Sequence, residues 1–388
     1  MKDLENICLS IEHCLNEDYL PISPQIVQTS SFQFKNYQHY IDVNTHHLPA
    51  YTYTRGENPT LAMFERKIAQ LEHGENAICF ASGMGAISAT LLSLIQKDEH
   101  ILIVNTIYGS AQKLICELEK FGIQHTVTTT TNTADIESYI KPNTKLIYFE
   151  SPSSQRFELL DLELISHIAK KHHIYTVIDN TWATPLLQNP LLHGIDVVIH
   201  SCSKYIGGHS DIVGGIVIAK QEIIEKIRHF GVTFLGATMS PMNAWLAIRG
   251  LRTLPVRIKS LDASIRQVIC FLQSDYRIEK IYHPLCGDET QKELANKYLS
   301  GMGSLFSFVL KDANPEIIQK FVDALQHFTL AYSWGGFESL VLPAFKGNNV
   351  QELKQRHLSI GHIRMYVGLE EPELLIQDIS NALDQAYQ

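Results

Sequence analysis

The sequence predicts an α/β fold: a large domain on a mostly parallel sheet, followed by a smaller C-terminal α/β domain. Two observations predict it. Short apolar runs alternate with segments of helical periodicity from Ala77 to Phe230. A long helical stretch from Met242 through Leu272 then separates this region from a second, shorter alternation. The expected layout is an N-terminal arm over 1–54, a large domain over 55–245 and a C-terminal domain over 246–388.

Each element has its own reason. The first fifty or so residues lack sustained periodicity and read as an extended arm with short helices. Asn58-Pro59-Thr60 opens a helix whose apolar face is Leu61, Phe64, Ile68 and Leu71, with Gly74 placed as its stop. Strands are expected at Ala77–Ala81, Ile101–Val104, Lys145–Phe149, Ile174–Ile178, Val197–Ile199 and Ile216–Ala219. Helices are expected from Gly85, through Leu114 and Leu118, over Leu160–His172 and over Glu222–Phe230. The long helix should bend near Pro255. The C-terminal part reads strand Ser304–Leu310, helix Pro315–Phe328, strands Thr329–Ser333 and Ile363–Val367, and helix Glu373–Ala386.

Composition removes several function classes. Apolar residues make up 45% and charged residues 19%, as in ordinary globular proteins. A formal charge of −9 without a basic run argues against nucleic acid as a partner. The seven cysteines are scattered and never spaced C-x-x-C, which points to reduced thiols, a cytoplasmic location and no metal site. Ala77–Gln96 is free of charge, yet Ser82, Gly83, Gly85, Ser88, Thr90 and Ser93 make it a poor membrane span. A buried strand, a glycine turn and a buried helix explain it better, so no membrane partner is expected.

The chemistry-bearing residues cluster at predicted strand exits, where open α/β sheets bind ligands. Lys204 follows the strand Val197–Ile199 within Ser201-Cys202-Ser203-Lys204-Tyr205-Ile206-Gly207-Gly208. A lysine beside small hydroxyls suits imine chemistry with an aldehyde cofactor. Ser82-Gly83-Met84-Gly85 lies between a strand and a helix, so its amides and the helix dipole would favour a phosphate. The overlap with G-x-G-x-x-G fails at Ser88, which weakens a dinucleotide reading. Asp179 ends another strand and offers a carboxylate to a protonated pyridine nitrogen, or simply an N-cap. Tyr53 and Arg55 would point to one side of an extended segment, and Tyr108 is placed to stack on a ring.

Five motifs in this order resemble the cysteine/methionine-metabolism family of pyridoxal phosphate enzymes, from Tyr51 to Glu370. They are Y-x-R-x-x-N-P-T at Tyr53–Thr60, S-G-M-G-A at Ser82–Ala86, E-S-P at Glu150–Pro152, D-N-T-W-A at Asp179–Ala183 and S-x-S-K-Y-x-x-G-H-S-D at Ser201–Asp211. The resemblance implies fold type I, like aspartate aminotransferase, with pyridoxal 5'-phosphate as cofactor. It implies that Lys204 carries the cofactor, Asp179 meets the pyridine nitrogen, Tyr108 stacks and also assists catalysis, and Gly83, Met84, Ser201 and Ser203 hold the phosphate. Tyr53 and Arg55 would reach the phosphate of a neighbouring subunit, Tyr53 its substrate as well, in a homotetramer made of two dimers. Arg364 would clamp the α-carboxylate of an amino-acid substrate, bordered by Tyr332, Ser333 and Trp334.

Within the family, three departures resemble the β-eliminating cystathionine lyases. Tyr332 and Trp334 stand where γ-acting members generally carry Glu and Leu, and Trp182 stands where they more often carry Phe. Ser153-Ser154-Gln155 follows E-S-P where x-Asn-Pro is common. The expected activity is β-elimination of L-cystathionine in methionine biosynthesis. A γ-acting relative (cystathionine γ-synthase, cystathionine γ-lyase or methionine γ-lyase) is the alternative. A dinucleotide oxidoreductase and a catalytically silent protein of this fold are the readings from other classes.

Overall fold

The structure, a computed structural model, describes residues 2–13, 21–45, 47–48 and 50–388. Cys14 lies outside the described residues; the other six cysteines carry free thiols. The arm contains helices at Lys2–Leu9 and Tyr37–Asn44. Buried Lys67 anchors the first of them by donating to Ile7 O (2.8 Å) and Ser10 O (3.0 Å).

The first sheet has strands β1 (Asn76–Phe80), β2 (His100–Val104), β3 (Gln124–Thr128), β4 (Thr144–Glu150), β5 (Tyr175–Asp179), β6 (Val197–Ser201) and β7 (Gly215–Ala219). Their order is β1-β7-β6-β5-β4-β2-β3, and β7 alone runs antiparallel to its neighbours. The remaining strands therefore deliver their carboxyl ends to one edge. Both faces are covered, which is why these strands read as continuous apolar runs. Ile147, Ile178, Val198 and Ile216 pack into one core, and Ile103, Val177, Ile199 and Val217 into the other.

The covering helices include α1 (Pro59–Leu71), α2 (Gly83–Leu94), α3 (Gly109–Glu117) and α4 (Leu162–Lys171). Asn58 and Asp161 cap α1 and α4 through their side chains. The left-handed position after α1 falls on His73 (φ 58°) rather than on the expected Gly74. The charge-free stretch resolves into β1 and α2, and no helix among the described residues is long and apolar enough to cross a membrane.

Helix α5 (Pro241–Ser274) continues through Pro255. A proline inside a helix costs about 3 kcal/mol. Burial of Leu251, Leu254, Ile258 and Leu261 around it offsets that cost. Beyond α5 lies a second sheet of β8 (Ile278–Tyr282), β9 (Leu305–Leu310), β10 (Thr329–Leu330), β11 (Leu340–Pro343) and β12 (His362–Tyr366), in the order β10-β11-β12-β9-β8. Its own core includes Phe306, Phe308, Phe321, Ile363 and Met365. Strand β10 stops at Leu330, so Tyr332 and Ser333 stand in a loop rather than in the expected strand. A short helix, α6 (Val350–Gln355), follows β11.

Candidate active site

A cavity of about 500 Å³ opens at the carboxyl edge of the first sheet and reaches β11 and β12. Gly83, Met84, Tyr108, Asp179, Ser201, Ser203, Lys204, Tyr332, Ser333, Trp334 and Arg364 all line it. The sequence motifs are far apart in the chain; the sheet brings their strand exits together.

The β1–α2 turn forms one wall. Ser82 Oγ caps α2 by accepting from Gly85 N (2.9 Å). The Gly83 and Met84 amides find no acceptor among the described residues, so two donors stay available at a helix N-terminus. A Cβ on Gly83 would stand 3.1 Å from Ser201 Cβ and Oγ, so the turn and the β6 exit close on one space. A Cβ on Gly215 would stand 2.4 Å from Ser82 O and 2.8 Å from Gly83 Cα. Glycine in β7 is what lets the turn sit this low.

Asp179 Oδ1 accepts from Thr181 N (3.0 Å) and Thr181 Oγ1 (2.5 Å), which fixes the carboxylate at the end of β5. Beside it, in register, stands Glu150 at the end of β4. Glu150 accepts from Tyr108 N (2.5 Å) and Ser154 Oγ (2.6 Å). Burial raises both carboxyls above the ordinary range, and the charge of Asp179 raises Glu150 further. The two hydrogen bonds from Thr181 and the charge of Lys204 favour the ionised form of Asp179, so of the two it keeps the negative charge.

Lys204 follows β6 in a tight turn, with Gly208 N donating to Lys204 O (2.8 Å). Its Nζ donates to Ser333 Oγ (2.7 Å) and lies 5.5 Å from the Trp334 ring centroid. Burial, assisted by the charge of Arg364, brings its amine down to about 8. The loop carrying Ser333 rests directly on the lysine segment: a Cβ on Gly335 (φ 89°) would stand 2.8 Å from Tyr205 N. Ser333 itself adopts φ 93°, a strained conformation for a residue with a side chain. Trp334 packs edge-on against Tyr205 (5.3 Å between centroids).

Arg364 projects from β12 into the cavity. Among the described residues its guanidinium has no carboxylate partner, and burial pulls it down to about 10. A guanidinium in this setting presents two parallel N–H donors suited to a carboxylate. Tyr108 is half-exposed at the rim. Trp182 is buried and donates from Nε1 to Leu305 O (3.0 Å), tying the first sheet to the second.

Tyr53 and Arg55 do not join this cavity within one chain. Arg55 bonds Thr233 O, and Tyr53 is half-exposed. Sequence reasoning missed Glu150 as a site residue although E-S-P was in view. It also missed the segment from Leu342 to Leu358, which carries no motif.

Comparison with known proteins decides the family. The Cys/Met metabolism PLP-dependent enzyme family matches residues 9–384. The chain belongs to this family. It is 38% identical over 340 residues to a cystathionine β-lyase of Lactococcus lactis subsp. cremoris, covering 86% of this chain and 89% of that one. It is 34% identical over 339 residues to a cystathionine γ-lyase of Bacillus subtilis, with the same shares covered. An L-methionine γ-lyase of Pseudomonas deceptionensis is 37% identical over 93% of this chain and 92% of its own. Cystathionine γ-synthase from Xanthomonas oryzae pv. oryzae, solved with aminoacrylate and cysteine, superposes with a TM-score of 0.92 at 30% identity, covering 99% and 98% of the two chains. A Campylobacter jejuni relative was solved with N'-pyridoxyl-lysine-5'-monophosphate; its TM-score is 0.90 at 30% identity over 98% and 99%.

The fold is type I, and pyridoxal 5'-phosphate is the family's cofactor and this chain's. The cavity suits it on its own evidence. Two free helix-terminal amides answer a phosphate, a fixed carboxylate answers a pyridine nitrogen, and a lysine of lowered basicity answers an aldehyde. The relatives bear β-lyase, γ-lyase and methionine γ-lyase names at similar identity, so membership makes this a pyridoxal phosphate enzyme of sulfur amino-acid metabolism.

Proposed function

We propose that this enzyme cleaves L-cystathionine by β-elimination, releasing homocysteine, pyruvate and ammonia. The observation that carries the reading is Arg364 unpaired in the cavity while Ser333 and Trp334 sit against the lysine amine. Arg364 takes the α-carboxylate with a two-point grip, which fixes the Cα–H bond relative to Lys204. Gly83, Met84, Ser201 and Ser203 hold the cofactor phosphate. Asp179 keeps a proton on the pyridine nitrogen. Bound pyridoxal phosphate supplies the electron sink that stabilises negative charge at the substrate Cα.

Lys204 removes the Cα proton as general base. An amine near 8 carries a useful neutral fraction at physiological pH, whereas one at the ordinary 10.5 would not. Ser333 Oγ, 2.7 Å from Nζ, orients the amine. Lys204 and Tyr108 return a proton to the departing sulfur. Elimination from Cβ needs only this one deprotonation; loss of a γ-substituent needs a second, at Cβ. Tyr332 and Trp334 in place of an acidic and an aliphatic residue favour the shorter route. The reading includes a homotetramer in which Tyr53 and Arg55 serve the neighbouring subunit, and a cytoplasmic location, supported by six free thiols among the described residues.

The test is the keto acid formed from L-cystathionine by the pyridoxal phosphate-loaded protein. Pyruvate with homocysteine supports β-elimination. 2-Oxobutyrate with cysteine would make it a γ-lyase and overturn the reading of Tyr332 and Trp334.

A further inference from the structure

The loop that carries Ser333 and Trp334 is held from two sides. Ser333 keeps φ 93°, and such strain persists only where the surroundings over-determine it. On the side of the second sheet the anchors lie at the end of β12. Tyr366 Oη donates to Gly336 O (2.7 Å), Gly368 N donates to Ser339 Oγ (2.9 Å) and Leu369 N donates to Phe337 O (2.8 Å).

On the side of the first sheet the anchor is a pair of side chains. The lysine turn runs on through Gly207-Gly208-His209-Ser210-Asp211, a segment with no part in the chemistry so far. Ser210 Oγ donates to Glu338 Oε1 at 2.6 Å, joining positions 128 residues apart. Glu338 Oε2 is buried and meets no partner among the described residues, so this hydroxyl is what engages the carboxylate. Gly336 lies directly under the pair: a Cβ there would stand 2.2 Å from Ser210 Oγ and 2.4 Å from Glu338 Oε2. The hydroxyl and carboxylate therefore close over the loop backbone just past Trp334. Ser210 itself takes φ 56°, which glycine would reach without strain, so placing the hydroxyl here has a local backbone cost.

We propose that Ser210 and Glu338 are positioning residues. Their hydrogen bond clasps the loop onto the lysine turn and so holds Ser333 Oγ against Lys204 Nζ. Neither residue lines the cavity, and both act only through Ser333. This rests on the reading that Ser333 orients the Lys204 amine. A base displaced by about an ångström from the bond it attacks loses rate steeply.

Ser210→Gly is the test variant, since it removes the hydroxyl and relaxes the backbone together. Keto acid formed from L-cystathionine, of either kind, is counted per bound cofactor. Ser210→Gly should lower kcat about tenfold, and Glu338→Ala should match it. In a Ser333→Ala background Ser210→Gly should add nothing, because the clasp works through Ser333. A second readout needs no turnover. In the cofactor-free protein, amide hydrogen exchange over residues 331–337 should quicken about tenfold in Ser210→Gly. Wild-type kcat in Ser210→Gly, unchanged exchange, or losses that multiply in the double variant would each overturn the inference and leave Ser333 as the orienting group. A fully active Ser333→Ala would overturn that reading and the inference with it, whichever keto acid is formed.

Discussion

Lys204 illustrates how a residue acquires function from its surroundings. Its amine is brought to about 8 against an ordinary 10.5 because the folded state resists charging it. Between those values the unfolded chain binds more protons than the folded one, so folding stability rises with pH there. In the cofactor-free protein, the melting temperature measured against Lys204→Gln should therefore climb from pH 8 toward pH 10; a flat difference would contradict the lowered basicity. Lys204→Ala should abolish turnover and the borohydride-reducible chromophore together. Arg364→Lys is no conservative change, since a point charge cannot replace the two-point fork. It should lower kcat/KM at least tenfold, mainly through KM. Glu150 is the other residue to vary. Its carboxyl binds the Tyr108 amide and faces Asp179 in register. Glu150→Gln preserves a neutral side chain and should retain most activity, whereas Glu150→Ala should lose it with Tyr108 released; near-equal activities in the two variants would count against a positioning role.

At the scale of elements, the β1–α2 turn is the feature on which the proposed phosphate site depends. Ser82→Ala removes the cap of α2 and should cost about 1 kcal/mol of stability. Gly215→Ala places a methyl group 2.4 Å from Ser82 O, so the turn must rise off β7. It should destabilise by about 1–3 kcal/mol and weaken phosphate binding, seen as faster cofactor loss on dilution. Strands β4, β5 and β6 were legible because burial on both faces leaves an uninterrupted apolar run. Strand β3 was not, since its pattern Gln124-His125-Thr126-Val127-Thr128 lies at a sheet edge with little buried surface to select for. Strand β11 was overlooked because four residues carry too little periodicity to register. The loop from Tyr332 was read as strand through Ser333; its strained φ is imposed by contact with the lysine turn, a constraint local propensity does not contain.

At the scale of the molecule, eleven of the thirteen expected site residues line one cavity, and the two that do not, Tyr53 and Arg55, are those assigned to a neighbouring subunit. Shared sites can be tested by complementation. Arg55→Ala and Lys204→Ala should each be inactive alone. Mixed dimers of the two place both defects in one site and leave the other intact, so co-expression should restore about a quarter of wild-type activity. No recovery, with mixed dimers demonstrated by differential tagging, would mean that each chain completes its own site.

The sequence by itself determined the fold class and the cofactor, through short motifs at strand exits that resemble a known family. It also nominated Lys204, Asp179 and, by that resemblance, Arg364, which the structure gathers in one cavity. Only the tertiary structure decided that Glu150 stands beside Asp179, that Ser333 touches the lysine amine, and that Lys346 and Arg356 extend the cavity past Arg364. These juxtapositions arise from sheet register and from the approach of the second sheet to the first. Such contacts join residues up to 129 positions apart, and no local periodicity records them.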